Sequence, residues 1–515
     1  MNGAQSLVTT LADSGIEVCF ANPGTSEMHF VAALDREPRI RGILGLFEGV
    51  VTGACDGYAR MAGKPALGLL HLGPGFANGI ANLHNARQAR TPIVNVVGDH
   101  ASSHARYAHA PLTSDIMGIC RTVSHWLEAA AGPLSATSDG ARAVAAARAA
   151  PGQIATLILP ADAAWSQAEA PAPPLPVTGP APVSDSVIAR AAAALKTGKR
   201  SALLMRGAAC QREGLRAAGR IAAKTGARLM HDFFSPRVTR GAGLPKIERI
   251  PYFAEQIVES FQGLEQIILV GAPPPVTFFA YPDKPSWVTP EGCDIITLAH
   301  PHEDAVTALA ALADAVGAPK TAPLVERVRP DAPRPGALDA FSMGQAIARF
   351  LPENAILVDE AATSSAGIDA SIMNAPAHDV LYLTGGAIGH AHPTATGAAV
   401  ACPDRKVVAV SGDGGAMYAP QGLWTQARER LDVTTVICAN RSYAILNIEL
   451  GRVGVEDAGP KALAMFDMHN PAIDWVKLAE SMGVEASRAE TAEDFARQFE
   501  SAMAGRGPRL IEAVL

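Results

Sequence analysis

The chain has 515 residues, of which 48% are hydrophobic and 18% are charged, and its formal net charge is −7. This length predicts about three domains. The acidic balance argues against nucleic acid or an anionic membrane surface as the main partner, because both require a basic face. No uninterrupted run of about 18 apolar residues is present, so we expect no transmembrane helix.

The cysteines and the N-terminus predict a cellular location. Seven cysteines are scattered along the chain without a CxxC pair, which predicts reduced thiols rather than a disulfide framework or a zinc ribbon. The first residues have no basic region followed by an apolar stretch, so they do not resemble a signal peptide. We therefore expect a cytoplasmic protein.

Two proline-rich stretches predict linkers. Residues 166–184 and 316–337 contain repeated prolines, which fix φ and remove an N–H donor, so we expect both stretches to run extended over the surface. They divide the chain into blocks 1–165, 185–315 and 338–515. Each block has a plausible size for one domain.

Each block alternates short apolar runs with helical patterns. The strand candidates, in chain order, are residues 65–72, 92–99, 201–207, 265–273, 354–360, 406–415, 434–440 and 509–515. Strands that alternate with helices predict parallel sheets with right-handed crossovers. The expected fold is therefore α/β, with three doubly wound parallel-sheet domains. Ligands of such sheets bind beyond the carboxyl ends of the strands.

Polar residues follow two of these strands in the third block. Asp413 lies within Gly412-Asp413-Gly414-Gly415, and Asn440 ends the next strand, 27 residues further on. This spacing fits one strand–helix–strand unit. Alone, either piece would indicate a turn or a helix cap; together they favour a Mg²⁺ site, because Mg²⁺ takes a few protein oxygens and completes its octahedron with phosphate and water. The glycines let backbone amides approach such an anion.

This motif resembles that of the thiamine diphosphate (ThDP)-dependent decarboxylase and carboligase family, which includes benzoylformate decarboxylase and acetolactate synthase. The usual Asn-Asn of the family is Ala439-Asn440 here. The resemblance implies Asp413 and Asn440 as side-chain ligands of Mg²⁺ and Ser442 as a backbone-carbonyl ligand. It also implies an N-terminal pyrimidine-binding domain, a central domain and a C-terminal diphosphate-binding domain.

The family carries one glutamate against the aminopyrimidine ring of the cofactor. Residues 42–60 are similar to that segment and place Glu48 at the required position. The resemblance implies that Glu48 shares a proton with the ring, which promotes removal of the C2 proton of the cofactor. Without the motif in the third block, Glu48 would be interpreted as an acid at a helix N-terminus.

Three further segments of the first block match the family. Residues 22–27 match its NPG loop, in which Thr25 would offer a hydroxyl to the substrate; the alternative is a turn residue or N-cap. His71 takes the place of an active-site histidine of benzoylformate decarboxylase and is suited to proton transfer, although it also fits a satisfied histidine at a strand end. Residues 111–116 resemble the lid segment of benzoylformate decarboxylase more than that of acetolactate synthase, which places Leu112 at the substrate pocket.

The third block supplies the remaining cofactor contacts. Residues 383–389 resemble the loop against the pyrimidine, where Ile388 supports the bent cofactor and the carbonyl near Gly386 accepts from its 4′-amino group. Residues 360–363 resemble a turn that contacts the diphosphate, with Thr363 as the donor. The implied cofactor-binding residues are Gly386, Ile388, Thr363, Gly412, Gly414, Gly415 and Ser442.

The sequence departs from its relatives at the substrate. Benzoylformate decarboxylase-like proteins carry a second active-site histidine in the central domain, but residues 271–279 contain none. There is also no specific flavin signature, so we expect no FAD. After Asn440, the substrate-facing positions are Ile445, Leu446 and Glu449. Glu449 stands where many relatives have an apolar or aromatic side chain, which predicts either a polar or cationic substrate end or a solvent-facing charge at a channel mouth.

Several histidines follow predicted strands or flank the pyrimidine loop. They are His100, His104, His109, His390 and His392. A zinc site needs three or four converging ligands and a supporting second shell. Because nothing in the sequence requires such a site, we expect no zinc, and the roles of these histidines stay open between pocket lining and structure.

The resemblance implies an enzyme that uses ThDP and Mg²⁺ to decarboxylate a small-molecule 2-oxo acid. Two versions remain open: a benzoylformate decarboxylase-like lyase with possible carboligation, and an acetolactate synthase-like transferase that joins two 2-oxo acids. A non-catalytic ThDP-binding subunit is a third hypothesis, but Glu48, Asp413 and Asn440 are all retained. Because the family assembles each site from two chains, we expect at least a homodimer and, beyond that, a homotetramer.

Overall fold

The first sheet belongs to the N-terminal block of this computed structural model, which describes residues 1–107 and 109–515. Its strands are β1 (Val18–Asn22), β2 (Arg41–Leu44), β3 (Ala66–His71), β4 (Ile93–Asp99), β5 (Trp126–Ala129) and β6 (Ile154–Pro160). Its helices are α1 (Gly3–Asp13), α2 (Met28–Leu34), α3 (Glu48–Ala62), α4 (Leu72–Ala89), α5 (Ser102–Ala105), α6 (Ile116–Arg121), α7 (Pro133–Arg148) and α8 (Ala161–Trp165). The parallel strand order is β2-β1-β3-β4-β6-β5.

The second sheet belongs to the central block. The strands of this block are β7 (Ser201–Met205), β8 (Arg228–His231), β9 (Val238–Arg240), β10 (Glu248–Arg249), β11 (Gln266–Val270) and β12 (Asp294–Ala299). Its helices are α9 (Asp185–Leu195), α10 (Arg212–Thr225), α11 (Ala254–Phe261) and α12 (Ala305–Ala315). The sheet has the parallel order β10-β8-β7-β11-β12 and leaves out β9.

The third sheet belongs mainly to the C-terminal block. Its strands are β13 (Ile356–Glu360), β14 (His378–Tyr382), β15 (Val407–Gly412), β16 (Val433–Ala439), β17 (Glu485–Ala489) and β18 (Arg509–Val514). Its helices are α13 (Ala340–Phe350), α14 (Ser365–Ser371), α15 (Ala391–Ala401), α16 (Asp413–Ala416), α17 (Gln421–Arg428), α18 (Ala444–Arg452), α19 (Pro460–Ala464), α20 (Trp475–Ser481) and α21 (Ala492–Ala504). The strand order is β17-β18-β16-β15-β13-β14-β9.

Short 3₁₀ turns connect some of these elements. They are Thr25–Glu27, Gly207–Cys210, Ala362–Ser364 and Ile372–Asn374. The central strands of each sheet, such as β4 and β16, are buried on both faces, as expected for parallel sheets that helices cover on both sides. The predicted α/β architecture with three parallel-sheet domains is confirmed. No helix within the described residues is both long enough and apolar enough to cross a membrane.

One strand departs from the predicted pattern. Strand β9, from the central block, pairs antiparallel with β14 of the third sheet, so that Thr239 lies opposite Asp379. The Thr239 hydroxyl donates to Asp379 Oδ1 at 2.7 Å, and Arg237 Nε donates to the same oxygen at 3.0 Å. These bonds fix the register. Strand β9 also covers the edge of β14, which would otherwise present unpaired backbone groups.

Helices α3 and α15 join the first and third domains. A Cβ at Gly57 would collide with the backbone of Thr394, and a Cβ at Gly397 would collide with the backbone of Ala54. The two helices therefore pack with their backbones in direct contact. This packing brings α3, which begins at Glu48, close to the start of α15 and to the loop that precedes it.

Candidate active site

Asp413 and Asn440 lie at the carboxyl ends of neighbouring parallel strands, β15 and β16. The Asp413 side chain is 4% exposed. Its Oδ1 accepts from the N–H of Gly414 at 2.8 Å, and its Oδ2 accepts from the N–H of Arg441 at 2.7 Å. Burial raises the pKa of Asp413, while these backbone donors favour its charged form. Asn440 Oδ1 accepts from the N–H of Ser442 at 3.1 Å.

A cleft of about 150 Å³ opens beside these two residues. It is lined by both of them and by other residues from three strand ends. Among its walls are Thr363, Ile388, Gly412, Gly414, Gly415, Ser442 and Ile445. These predicted cofactor and substrate positions therefore converge on one cavity, as the carboxyl edge of a parallel sheet requires.

The glycines of the turn have different surroundings. A Cβ at Gly414 would collide with the Tyr443 ring, and a Cβ at Gly415 would lie 2.8 Å from Glu360 Oε1. A Cβ at Gly412 would meet no atom within 4 Å. The first two glycines are thus required by close packing, and the third leaves its backbone open to an approaching ligand.

The donor set at this edge fits Mg²⁺ held together with a diphosphate. It offers one carboxylate, one amide oxygen and a nearby backbone carbonyl at Ser442, all of them hard oxygen ligands. In the part of the chain that the structure describes, no group of three or more His, Cys, Asp or Glu side chains could hold a metal. A cation bound here would therefore need oxygens from a ligand, and a diphosphate supplies them.

Glu360 is a buried carboxylate in the wall of the cleft. Its Oε1 accepts from the N–H of Gly389 at 2.6 Å, and its Oε2 accepts from the N–H of Ala391 at 2.5 Å. Burial raises the pKa of Glu360 to about 7. The side chain thus anchors the end of residues 383–389, which we call the cofactor loop. Thr363 remains in the wall of the cleft.

A second group of predicted residues lies at the carboxyl edge of the first sheet. Glu48 begins α3, and the Asn78 amide donates to its Oε2 at 3.0 Å. His71 ends β3. A Cβ at Gly75 would lie 3.2 Å from Glu48 Oε1 and 3.4 Å from the Cβ of His71, so these two side chains flank the same glycine. Thr25 is exposed at the start of a 3₁₀ turn on the same edge.

Glu27 is a residue of this edge to which the sequence analysis gave no role. Its Oε2 lies 2.8 Å from His71 Nδ1 and accepts from the N–H of Gly24 at 2.7 Å. The side chain is 1% exposed, and burial raises its pKa while the charge and the hydrogen bond of His71 lower it. Glu27 therefore orients the His71 ring. The available signal was a carboxylate two residues after Thr25 in the NPG loop.

Within one chain, the two groups do not meet in the same cavity. Glu48, His71 and Thr25 are not among the described residues that line the cleft beside Asp413. Leu112 is also outside it and is 38% exposed. The site is thus divided between two sheet edges of one chain.

The predicted substrate positions on α18 diverge. Ile445 lines the cleft, whereas Leu446 is 41% exposed. Glu449 approaches the central domain: burial and the Glu449 carboxylate raise the pKa of Tyr281, and Glu449 Oε2 lies 3.8 Å from Arg452 Nε. The structure therefore places Glu449 in a contact between domains, neither facing solvent nor lining the cleft.

Aromatic side chains form a wall beside the cofactor loop that the sequence analysis also missed. Phe233 and Phe234 line the cleft. The Phe234 and Phe278 rings are 4.7 Å apart, and the Tyr252 and Phe278 rings are 5.7 Å apart. A Cβ at Gly386, where φ is +75°, would lie 2.9 Å from the Phe278 ring. These residues are remote from the cofactor loop in sequence, so no local pattern indicated them.

The histidines whose roles were open form two sets. His100 and His104 have ring centroids 5.0 Å apart, and His109 packs against Tyr107 at 6.4 Å. His390 and His392 are fully buried, and burial lowers the pKa of His392 to about 4. Burial also holds the pKa of His390 well below its usual range, so both rings at the start of α15 are neutral near pH 7.

Comparison with known proteins gives the family. Residues 1–119 match the model described as "Thiamine pyrophosphate enzyme, N-terminal TPP binding domain", and residues 365–513 match its C-terminal counterpart. A Mycobacterium tuberculosis protein provisionally named acetolactate synthase large subunit IlvX is 51% identical over 516 residues, covering 100% of this chain and 99% of its own. The chain belongs to the thiamine pyrophosphate (ThDP) enzyme family. It is a ThDP-dependent enzyme of the decarboxylase or acetolactate synthase type.

Other members of the ThDP family match along the whole chain. Benzoylformate decarboxylase of Pseudomonas aeruginosa is 27% identical over 529 residues, covering 97% of this chain and 96% of its own. The structure of 4-hydroxybenzoylformate decarboxylase from Rhodococcus jostii RHA1 superposes with a TM-score of 0.86 at 23% identity, covering 99% of this chain and 98% of its own. At 23% identity, this superposition shows a shared fold and no more.

Proposed function

We propose that this protein is a Mg²⁺- and ThDP-dependent decarboxylase of a small-molecule 2-oxo acid. The observation that carries the proposal is the pair Asp413 and Asn440 at neighbouring strand ends, beside a cleft whose floor is glycine backbone. The side chains of this pair and the Ser442 carbonyl would hold Mg²⁺. Gly412 and Thr363 would contact the diphosphate. The single carboxylate of this pair suits a cation that shares its charge with a bound anion.

The cofactor loop would hold the organic part of ThDP. Ile388 lines the cleft and would offer an apolar support. Gly386 has a positive φ, which suits a backbone that presents its carbonyl to a ligand. When bound, the cofactor supplies the nucleophilic carbon that attacks the 2-oxo carbonyl and accepts the electrons freed by CO₂ loss. The protein supplies position and proton management.

Proton transfer would fall to the edge of the first sheet. Glu48 would exchange a proton with the aminopyrimidine ring. His71, whose Nδ1 is held by Glu27, would present Nε2 to the substrate. Thr25 would donate its hydroxyl to the substrate. Because these residues do not line the cleft of Asp413 within one chain, we propose that a second copy completes each site, in at least a homodimer and, beyond that, a homotetramer.

The aromatic wall supports the decarboxylase version. Phe233, Phe234 and Phe278 place flat apolar surfaces beside the cofactor loop, which favours a 2-oxo acid with an aromatic or bulky apolar side chain. The full-length similarity to a benzoylformate decarboxylase supports the same choice. Residues 271–279 carry no histidine, so His71 would serve alone where such relatives use two.

The acetolactate synthase-like carboligase is the second candidate. It is favoured by the 51% identity to the M. tuberculosis protein of that provisional name. Both versions share every step up to CO₂ release and differ in whether a proton or a second carbonyl compound is then taken up. We also propose a cytoplasmic location, because all seven cysteines are free thiols.

Product analysis tests the proposal. The chain, loaded with ThDP and Mg²⁺, is given benzoylformate or pyruvate, and CO₂, aldehydes and 2-hydroxy-3-oxo acids are measured. We expect CO₂ and an aldehyde, with benzoylformate turned over faster than pyruvate. Acetolactate from pyruvate as the main product would establish the carboligase instead. Absence of CO₂ release over a broad panel of 2-oxo acids, with ThDP bound, would refute the enzyme assignment.

A further inference from the structure

Helix α4 carries three asparagines on one face. Asn78, Asn82 and Asn85 are spaced by four and three residues, so they lie one above another along the helix. We call them the asparagine row. One end of the row reaches the start of α3, and the other end reaches the cofactor loop.

Asn85 holds a single residue of the cofactor loop at both of its polar backbone groups. Its Oδ1 accepts from the N–H of Ala387 at 3.2 Å, and its Nδ2 donates to the carbonyl of Ala387 at 2.8 Å. Nδ2 also donates to Asn82 Oδ1 at 3.2 Å. The Asn85 side chain is fully buried. A buried amide is costly unless its groups are bonded, and here they bond to the residue between Gly386 and Ile388.

The rest of the loop follows α4 equally closely. The Thr384 hydroxyl donates to the carbonyl of Asn85 at 2.6 Å, and His84 Nε2 lies 3.1 Å from the carbonyl oxygen of Gly385. A Cβ at Gly385 would lie 2.7 Å from Asn85 Oδ1. The loop therefore lies directly against the helix, and a side chain at 385 would displace it.

The other end of the row holds Glu48. Asn82 Nδ2 donates to the carbonyl of Gly49 at 2.8 Å, and Asn78 Nδ2 donates to Glu48 Oε2 at 3.0 Å. One helix face thus contacts both Glu48 and the cofactor loop. Both contacts are made within one chain, whose Glu48 and cofactor loop would serve different sites of the proposed dimer.

We propose that the asparagine row fixes the cofactor loop against α4 of the same chain, and that Asn85 is the positioning residue of the loop. The proposal deepens the proposed function and rests on it for the identity of the ligand. Support by Ile388 and acceptance at Gly386 are useful only if the loop is fixed within a fraction of an ångström, since a misplacement of about 1 Å can cost about a hundredfold in rate. A bidentate amide grip provides that precision.

The test compares Asn85→Ala with Asn95→Ala. Asn95 is also a fully buried asparagine of the first domain; it donates to Thr156 Oγ1 at 3.2 Å, in the interior of the sheet. Both variants lose the same atoms and should lower the melting temperature. Deuterium uptake of a peptide covering residues 383–389 is measured in the apoprotein, and ThDP affinity is measured by calorimetry with Mg²⁺. We expect faster uptake and an affinity loss of about 10- to 100-fold for Asn85→Ala only.

Equal behaviour of the two variants would overturn the proposal, because the row would then be merely structural. If Asn85→Ala does not fold, Asn85→Ser serves in its place, because its short hydroxyl cannot make both bonds to Ala387; unchanged uptake in that variant would also overturn the proposal. Deuterium uptake in the apoprotein requires no cofactor. Suppose that uptake is faster in Asn85→Ala but the parent chain binds no ThDP. The role of Asn85 in holding the loop would then be established, and only the proposed function would be refuted.

Discussion

Glu360 should give the cofactor loop a pH dependence near neutrality. Its two carboxylate oxygens accept from the N–H groups of Gly389 and Ala391 at 2.6 and 2.5 Å. Burial nevertheless raises its pKa from 4.5 to about 7, because two backbone donors do not replace the hydration of a charged group. The informative perturbation is Glu360→Gln, which keeps the shape and cannot ionise.

The magnitude follows from the difference in pKa. A carboxyl group that titrates near 7 in the folded chain and near 4.5 in the unfolded chain makes ionisation cost roughly 3 kcal/mol of folding free energy. The sign is that of an acid with a raised pKa. The stability contributed by protonated Glu360 is complete below pH 4.5, falls as the pH rises, and is lost above pH 7. Glu360→Gln should remove this part of the pH dependence.

Infrared titration of the apoprotein measures the effect directly. The parent should show the band of a protonated carboxyl group that disappears with a midpoint near pH 7, and this band should be absent in Glu360→Gln. The difference in unfolding free energy between variant and parent should shift by roughly 3 kcal/mol between pH 4.5 and 8, in favour of the variant at high pH. A carboxyl band with its midpoint near 4.5, or a difference that stays flat with pH, would refute the reasoning.

Three predictions concern the divided site. Glu48→Gln should keep the fold and bind ThDP weakly. It should slow C2 hydrogen–deuterium exchange of the bound cofactor by about 10²–10⁴-fold, because the amide cannot relay a proton. Exchange at C2 as fast as in the parent would make Glu48 a structural acid. His71→Ala should slow turnover while leaving C2 exchange within a few-fold of the parent, and slowed C2 exchange would contradict its assignment to later steps. Mixing Glu48→Gln chains with Asp413→Ala chains should restore activity, since one site in a mixed dimer escapes both lesions. No recovery, with subunit exchange verified, would argue against a shared site.

The sequence predicted those features that local patterns encode. Every predicted strand was found, because a buried parallel strand is a continuous apolar run with turn residues at its end. Asp413 and Asn440 were placed at one sheet edge because consecutive strands of a β–α–β unit end on the same side. The β9 strand was not predicted: its partner, β14, is about 140 residues away, and its register depends on Asp379.

Side chains with remote partners were predicted less well. Glu449 was expected at a substrate end or channel mouth, but its carboxylate lies close enough to Tyr281 of the central domain to raise the pKa of that phenol. The contact of buried Glu27 with His71 joins a 3₁₀ turn to the end of β3. Asn85 lies on α4, yet its function depends on Ala387, 302 residues further on. A helical period shows which residues share a face but does not show what that face contacts.

Calorimetry of the parent and of Asp413→Ala tests the central claim most directly, which is that the ends of β15 and β16 hold Mg²⁺ together with ThDP. The parent should bind ThDP only when Mg²⁺ is present, and the variant should lose both ligands together, because the pair at the ends of β15 and β16 then has no carboxylate left to hold the cation. Unchanged ThDP affinity in Asp413→Ala, or parental binding that is indifferent to Mg²⁺, would contradict the assignment of this site.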